Sequence, residues 1–277
     1  MSFISLQFLG YLVTGLAAGV LAGLFGIGGG LVIVPALLFL FHLDGINPVI
    51  SMQLAAGTSL ATIIFTSLSA TWNHHQRHSV YWPLVYRYAP GMVLGVWLGA
   101  QLAALLASDF LQVLFGLFEI AIGLRMMRGD APARTASDDA AEKPVPAPQR
   151  PFVVTGVALL TGTLSALFGI GGGTLLVPAL TLISKLTIHQ AIGTSSAIGT
   201  VLALVGTSGM IQSGWDNSAL PPDTLGFVVP LAGLGVVIGT LITAPIGVKL
   251  AHGTDPNLLK KGFGGLLLLV GIRLLWP

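Results

Sequence analysis

Long apolar runs separated by short polar connections occupy most of the chain, at roughly 6–25, 31–43, 51–72, 88–107 and 110–127, then 152–168, 174–184, 190–211, 226–248 and 262–276. The runs fall into two sets of five. About 20 apolar residues cross the roughly 30 Å of hydrocarbon in a bilayer, and several runs reach that length. The runs 31–43 and 174–184 are near half of it, so they read as half-helices or short tilted spans. Between the sets, residues 128–151 exchange Leu, Val and Gly for Ala, Pro, Ser, Asp, Glu and Lys, which predicts a solvated, disordered linker. The pattern predicts an all-α polytopic membrane protein with an N-terminal transmembrane repeat (1–127), a polar linker (128–151) and a C-terminal transmembrane repeat (152–277).

The two sets are copies of one another. Leu24-Phe-Gly-Ile-Gly-Gly-Gly-Leu-Val-Ile-Val-Pro-Ala-Leu37 returns as Leu167-Phe-Gly-Ile-Gly-Gly-Gly-Thr-Leu-Leu-Val-Pro-Ala-Leu180, and Ala55-Ala-Gly-Thr-Ser-Leu-Ala61 returns as Ala191-Ile-Gly-Thr-Ser-Ser-Ala197. Pro90, Gly95 and Gly99 match Pro230, Gly235 and Gly239; Phe115, Gly116, Gly123 and Arg125 match Phe263, Gly264, Gly271 and Arg273. The Gly95/Gly99 and Gly235/Gly239 pairs are small-xxx-small signatures of close helix packing in lipid. The triple glycines precede the two short runs. Irregular backbone survives at membrane depth only where protein buries it or a cavity is lined by it, so they are expected at re-entrant tips. Pro35 and Pro178 are expected to kink or end the short helices.

Composition agrees with a bilayer as solvent: 54% hydrophobic residues, 8% charged and a mean hydropathy of +0.89 leave too few polar atoms to cover a soluble globule. The formal net charge of +2 does not indicate a nucleic-acid partner, because the bases sit beside apolar spans. With no cysteine in the chain, disulfides, thiolate metal sites and thiol catalysis are excluded. Met1–Gln7 carries no Lys or Arg, so the first run is expected to be retained rather than cleaved as a signal peptide. Arg77 and Arg87 lie between the third and fourth runs, and Arg125, Arg128, Arg134, Lys143 and Arg150 follow the fifth. In the second set Lys185, Lys249, Lys260 and Lys261 occupy the complementary loops, whereas 212–225 holds Asp216 and Asp223 and no base. Placing the basic loops in the cytoplasm accounts for all Lys and Arg but Arg273. It makes the two repeats inverted, puts the linker inside and turns both termini outward.

Candidate chemistry gathers at the repeated motifs. A helix beginning after Gly28, Gly29 and Gly30, or after Gly171, Gly172 and Gly173, offers backbone N–H groups and the positive end of its dipole to an anion. Inverted halves bring two such ends together near the midplane; close packing is the competing role of these glycines. Thr58, Ser59, Thr194 and Ser195 place hydroxyls at matching positions of the third run of each set, either to donate to an anion or to cap and back-bond within the helices. Glu119 is the carboxylate well inside an apolar run, and Leu267 is its counterpart. It is a candidate for proton coupling, with pairing to Arg125 as the alternative. His74, His75 and His78 have helical spacing, but with Arg77 and Arg87 alongside they read as a solvated turn rather than a metal site. No catalytic set of side chains occurs in the spans, so no enzyme, cofactor or resident metal is expected. A small anion and membrane lipid are the expected partners, with homo-oligomerisation left open.

The paired Phe-Gly-Ile-Gly-Gly-Gly-x-x-x-Val-Pro segments, the two Gly-Thr-Ser segments, His78-x-x-Tyr-Trp82 and Leu220-Pro-Pro-Asp-Thr-Leu-Gly-Phe227 together resemble the TauE/SafE family of bacterial membrane permeases. The resemblance covers nearly the whole chain outside the linker. It implies an inner-membrane, alternating-access carrier of a small anion such as sulfite or an organosulfonate, sulfoacetate for example. A nickel or cobalt permease using the histidine loop and a non-transporting scaffold are the alternatives. The first needs ligands in the spans, and the second leaves the duplicated glycine breaks without a purpose.

Overall fold

The computed structural model describes residues 3–25, 29–128, 151–253 and 256–276. These form ten helices: α1 (Phe3–Phe25), α2 (Gly30–Leu43), α3 (Pro48–Gln76), α4 (Trp82–Leu105), α5 (Ser108–Met127), α6 (Pro151–Phe168), α7 (Gly173–Leu182), α8 (Ile188–Gly214), α9 (Pro230–Gly253) and α10 (Pro256–Leu275). Among the described residues the extended structure is confined to an isolated bridge between Leu225 and Val228. Six helices are long and apolar enough to cross a membrane. The chain is an all-α polytopic membrane protein. Gly28 and the linker, apart from its ends Arg128 and Pro151, lie outside the described residues.

Local chemistry sets the helix ends. Asn47 accepts the Val49 N–H at 3.1 Å and Pro48 occupies the first turn, where a missing N–H costs nothing. α3 therefore starts ahead of its apolar run. α8 opens on a reciprocal Thr187–Gln190 capping box, which satisfies two end groups at once. α9 begins at Pro230, four residues after the start of its apolar run, because Gly226 takes a positive φ of 53° and the bridge pairs Leu225 with Val228. Neither short-helix proline ends its helix. α2 runs on from Pro35 to Leu43 and α7 from Pro178 to Leu182, since each proline sits only six residues in and removes a single bond.

The helix contacts follow the duplication. α1 packs on α9 as α6 packs on α4, α3 touches α9 as α8 touches α4, and α2 lies on α3 as α7 lies on α8. The remaining large contacts join each helix to its own counterpart, α3 to α8 and α5 to α10. Those counterparts run antiparallel. Thr71 near the end of α3 meets Thr200 in the middle of α8, their hydroxyls 3.3 Å apart, while a Cβ on Gly57, earlier in α3, would lie 3.3 Å from that of Met210, later in α8. Likewise Gly116 abuts Gly271 and Gly123 abuts Gly264. Equivalent helices can point in opposite directions only if the two halves are inverted.

Small residues make these crossings. In lipid, helices gain little from hydrophobic burial and associate through close packing and hydrogen bonds. A Cβ on Gly99 would reach the Thr163 carbonyl oxygen at 2.5 Å, and one on Gly239 the Leu12 oxygen at 2.5 Å. These are packing positions of α4 on α6 and α9 on α1. Thr163 adds a bond to the Gly95 oxygen at 3.0 Å and Thr243 one to the Leu16 oxygen at 2.7 Å.

The half-helices turn back. Leu40 of α2 lies against Gly10 of α1, and Tyr11 donates to the Asp44 carboxylate at 2.5 Å. The α1–α2 hairpin thus re-emerges where it entered. At 14 and 10 residues, α2 and α7 are about 21 and 15 Å long, short of a full crossing. The directions of the helices put Arg77, Arg87, Arg125, Arg128, Lys185, Lys249 and Lys261 at one end of the bundle and Arg273 at the other.

Candidate functional site

The two glycine turns meet. A Cβ on Gly30 would lie 2.7 Å from the Ile170 Cα and 2.9 Å from the Gly169 oxygen, so the first turn of α2 rests directly on the chain entering α7. Gly171 faces Ile63, halfway along α3, and Gly172 faces Leu202, halfway along α8. The meeting point is therefore central. Gly29, Gly30, Gly171 and Gly172 are buried and Gly173 is half-buried.

The sharp reversal into each short helix needs glycine at different places in the two copies. In the first, Gly29 caps α2 at φ 78°; in the second, Gly169 turns at φ 66° with its back against Ala56. Both φ values lie in the left-handed region, where a side chain is costly. Each short helix opens on N–H groups that have no acceptor one turn earlier, and these ends converge from opposite halves.

Of the four candidate hydroxyls, Ser59 is the one bonded to a glycine tip. Ser59 donates to the Gly169 oxygen at 2.7 Å, tying α3 to the second tip. Ser195 donates instead within its own helix, to the Ile192 oxygen at 2.9 Å. Thr58 accepts the Val229 N–H at 2.9 Å, just before α9, and Thr194 accepts the Tyr81 N–H at 3.0 Å, just before α4. The two threonines are counterparts and each accepts from the residue just before a long helix of the other half, although Val229 and Tyr81 are not themselves counterparts, since Pro230 matches Pro90. The adjacent glycines let the loops in: Gly57 lies against the Phe227 carbonyl and Gly193 against that of Ser79. Accepting uses only the oxygen of each threonine, so each O–H keeps a proton to donate. The sequence shows Gly-Thr-Ser, His78–Trp82 and Leu220–Phe227 as separate motifs, whereas the fold makes each Gly-Thr the seat of a loop from the other half.

Glu119 is fully buried in α5, and neither carboxylate oxygen has a hydrogen-bond partner among the described residues. Arg125 is exposed, so the pairing open at the sequence level does not form. One turn before Glu119, Phe115 packs on Phe168 with ring centroids 5.5 Å apart, and Phe118 packs on the same ring at 5.1 Å. Phe168 leads into the second glycine tip. Spacing alone did not reveal this contact, because the partners are some fifty residues apart.

The histidines do other work. His75 accepts from the Trp82 indole at 3.3 Å and the His74 Cβ lies under Gly193. Among the described residues no group of three His, Asp or Glu side chains has metal-holding spacing.

Comparison with known proteins agrees with this architecture. Residues 11–274 match the family described as Sulfite exporter TauE/SafE. A probable membrane transporter protein of Haemophilus influenzae is 33% identical over 95% of this chain and 96% of its own. The probable membrane transporter protein YunE of Bacillus subtilis is 31% identical over 100% of this chain and 98% of its own, and one from Methanocaldococcus jannaschii is 28% identical over 95% and 94%. No solved structure matches. With the family matched across nearly its whole length and the relatives named as transporters, the chain is a multi-pass membrane transporter, not an enzyme, and belongs to the TauE/SafE family.

Proposed function

We propose that this transporter carries a small sulfur oxyanion, sulfite or an organosulfonate such as sulfoacetate, across the bacterial inner membrane by alternating access. The observation that supports this reading best is the convergence of two half-helix starts from inverted halves, Gly30 against Ile170. Helix N-termini facing one another at mid-membrane are the arrangement in which a transporter holds an anionic group. In the described conformation the tips touch, which corresponds to a closed carrier. Rocking of the halves opens a gap where Gly29, Gly30, Gly171, Gly172 and Gly173 present N–H groups to the anion. Gly28 belongs to the same segment by sequence. In this reading Ser59, bonded to the second tip, supplies a hydroxyl donor directly at the gap, and Thr58, Thr194 and Ser195 are further donors that rocking of the halves brings to it.

The basic end of the bundle is assigned to the cytoplasm by the excess of Lys and Arg on that side. Residues 128–151 are then cytoplasmic, and both termini lie on the opposite, periplasmic side. The halves act as repeat units 1–127 and 152–277 that share one site.

Reconstitution in liposomes tests the reading, with sulfite and sulfoacetate as substrates and nickel and chloride as controls. Saturable oxyanion flux is expected. The informative variant is Gly171→Ala, whose new methyl would meet Ile63 at an ordinary 3.4 Å, so the protein folds while the backbone donor is screened. Losing a hydrogen bond to a charged ligand costs about 1.5–3 kcal/mol, roughly a ten- to hundredfold fall in flux. Unchanged oxyanion flux in this variant removes the glycine tips from the site, and nickel flux in the wild type overturns the substrate class.

A further inference from the structure

Glu119 is the buried ionisable group left over once the anion site is assigned. It is the twelfth of the 20 residues of α5, far from either end, and none of its surface is exposed. Both oxygens lack a hydrogen-bond partner among the described residues. A carboxylate stripped of water with neither a cation nor a donor costs several kcal/mol, and such a group takes up a proton instead.

Among the described residues, the helices packed on α5 carry their titratable side chains only toward their ends. The helices packed against α5 are α3, α6 and α10. α6 contains no titratable side chain. In α3 the titratable groups are His74 and His75 in the last turn, while the part beside α5 presents Ser51, Met52 and Gln53. α10 meets α5 through Gly264, Leu268, Gly271 and Leu274; Lys260 and Lys261 lie in its first turns, and Arg273 near its end donates to the Trp276 oxygen. Within α5 itself, Asp109 and Arg125 are exposed at opposite ends. The counterpart of Glu119 in the second half, Leu267, is also buried, so the acid is not a general requirement of this packing position.

The same turn of α5 grips the carrier's moving part. Phe115 and Phe118 hold Phe168, and the next residue, Gly169, is the left-handed turn to which Ser59 is bonded. A displacement of the second tip therefore disturbs the packing around Glu119, and admission of water there lets the carboxyl ionise.

We infer that Glu119 is the proton-carrying group of this transporter, neutral while the tips are closed and releasing its proton to water when the α6–α7 tip withdraws, so that a proton travels with the anion. The O–H bond of the carboxyl breaks and a water on the open side accepts the proton. The reverse transfer resets the carrier on the other side. The inference rests on the transport reading above but adds the coupling ion and its carrier.

Two measurements test it. In liposomes loaded with sulfoacetate and a pH-sensitive dye, the wild type is expected to alkalinise the lumen as the anion leaves. In Glu119→Gln the alkalinisation is lost and the pH dependence of any remaining flux disappears, while Glu119→Asp restores both in part. Wild-type anion flux without proton movement, or a Glu119→Gln protein that still moves protons with the anion, overturns the inference. The second measurement needs no transport: infrared spectra of purified protein at neutral pH are expected to contain the C=O stretch of a protonated carboxylic acid, absent from Glu119→Gln. If neither sulfite nor sulfoacetate moves in the wild type, the transport reading falls. The infrared band alone then decides whether Glu119 holds a proton, and its absence from the wild type overturns the inference outright.

Discussion

Thr58 and Thr194 show how one side chain serves the fold at a place that composition marks only as polar. Each is fully buried, and each holds the N–H of the residue that introduces a long helix of the opposite half. A helix start is rich in N–H groups without intrahelical acceptors, and lipid offers no water to satisfy them. Replacing Thr58 by Val keeps the shape and removes the acceptor. The expected cost is about 1 kcal/mol, or roughly 2–4 °C of melting temperature for a chain of this size, with Thr58→Ser close to wild type. Thermal melts in detergent measure both, and a loss in Thr58→Ser with none in Thr58→Val would mean that the methyl, not the bond, matters.

At the scale of elements, inversion of the halves rests on antiparallel counterparts. Thr71 and Thr200 face one another with hydroxyls 3.3 Å apart, so the sulfurs of cysteines placed there need only a small approach to reach the roughly 2 Å of a disulfide bond. The native chain has no cysteine, so the doubly substituted Thr71→Cys, Thr200→Cys protein is expected to form an intramolecular disulfide on mild oxidation. Thr71→Cys with Thr207→Cys, about 10 Å further along α8, should not. Cross-linking of the second pair in place of the first would slide α8 along α3 by about two turns and overturn the register on which the antiparallel pairing rests. The half-helices obey the same geometry: α2 and α7 are too short to cross, so each returns to the side from which α1 or α6 entered and leaves its N-terminus in the middle.

For the molecule as a whole, the main contacts pass between the halves rather than within them. α1 finds its groove on α9 and α6 finds the equivalent groove on α4, so neither half can bury its own glycine stripes without the other. The arrangement places the basic helix ends together and Arg273 apart. Single cysteines at Gln76 and Ser218, both exposed, are expected to react with an impermeant thiol reagent from opposite faces of the membrane. In right-side-out vesicles Ser218→Cys should label and Gln76→Cys should not. Labelling of both from one face would contradict the inverted arrangement, and the reverse pattern would invert the whole protein in the membrane.

Much of this was legible in the chain because it depends on local properties. A run of 20 apolar residues prefers hydrocarbon wherever it is, glycine before a short run breaks a helix, and Lys or Arg stays near its own span. Hence the membrane spans, the duplication, the half-helices after the glycines and the inversion could all be read without coordinates. The partners of those elements could not. Lipid is as apolar as a neighbouring leucine, so hydropathy is blind to which helix packs where, and the choice falls to glycine grooves whose shapes exist only once the helices are assembled. The bonds from Val229 to Thr58 and from Tyr81 to Thr194 join residues more than a hundred positions apart. The same is true of the contact between Gly30 and Ile170. Arg125 lies close to Glu119 in sequence, yet it is exposed while the acid is buried, and only the tertiary packing of α5 against α3, α6 and α10 leaves that carboxyl without a partner among the described residues.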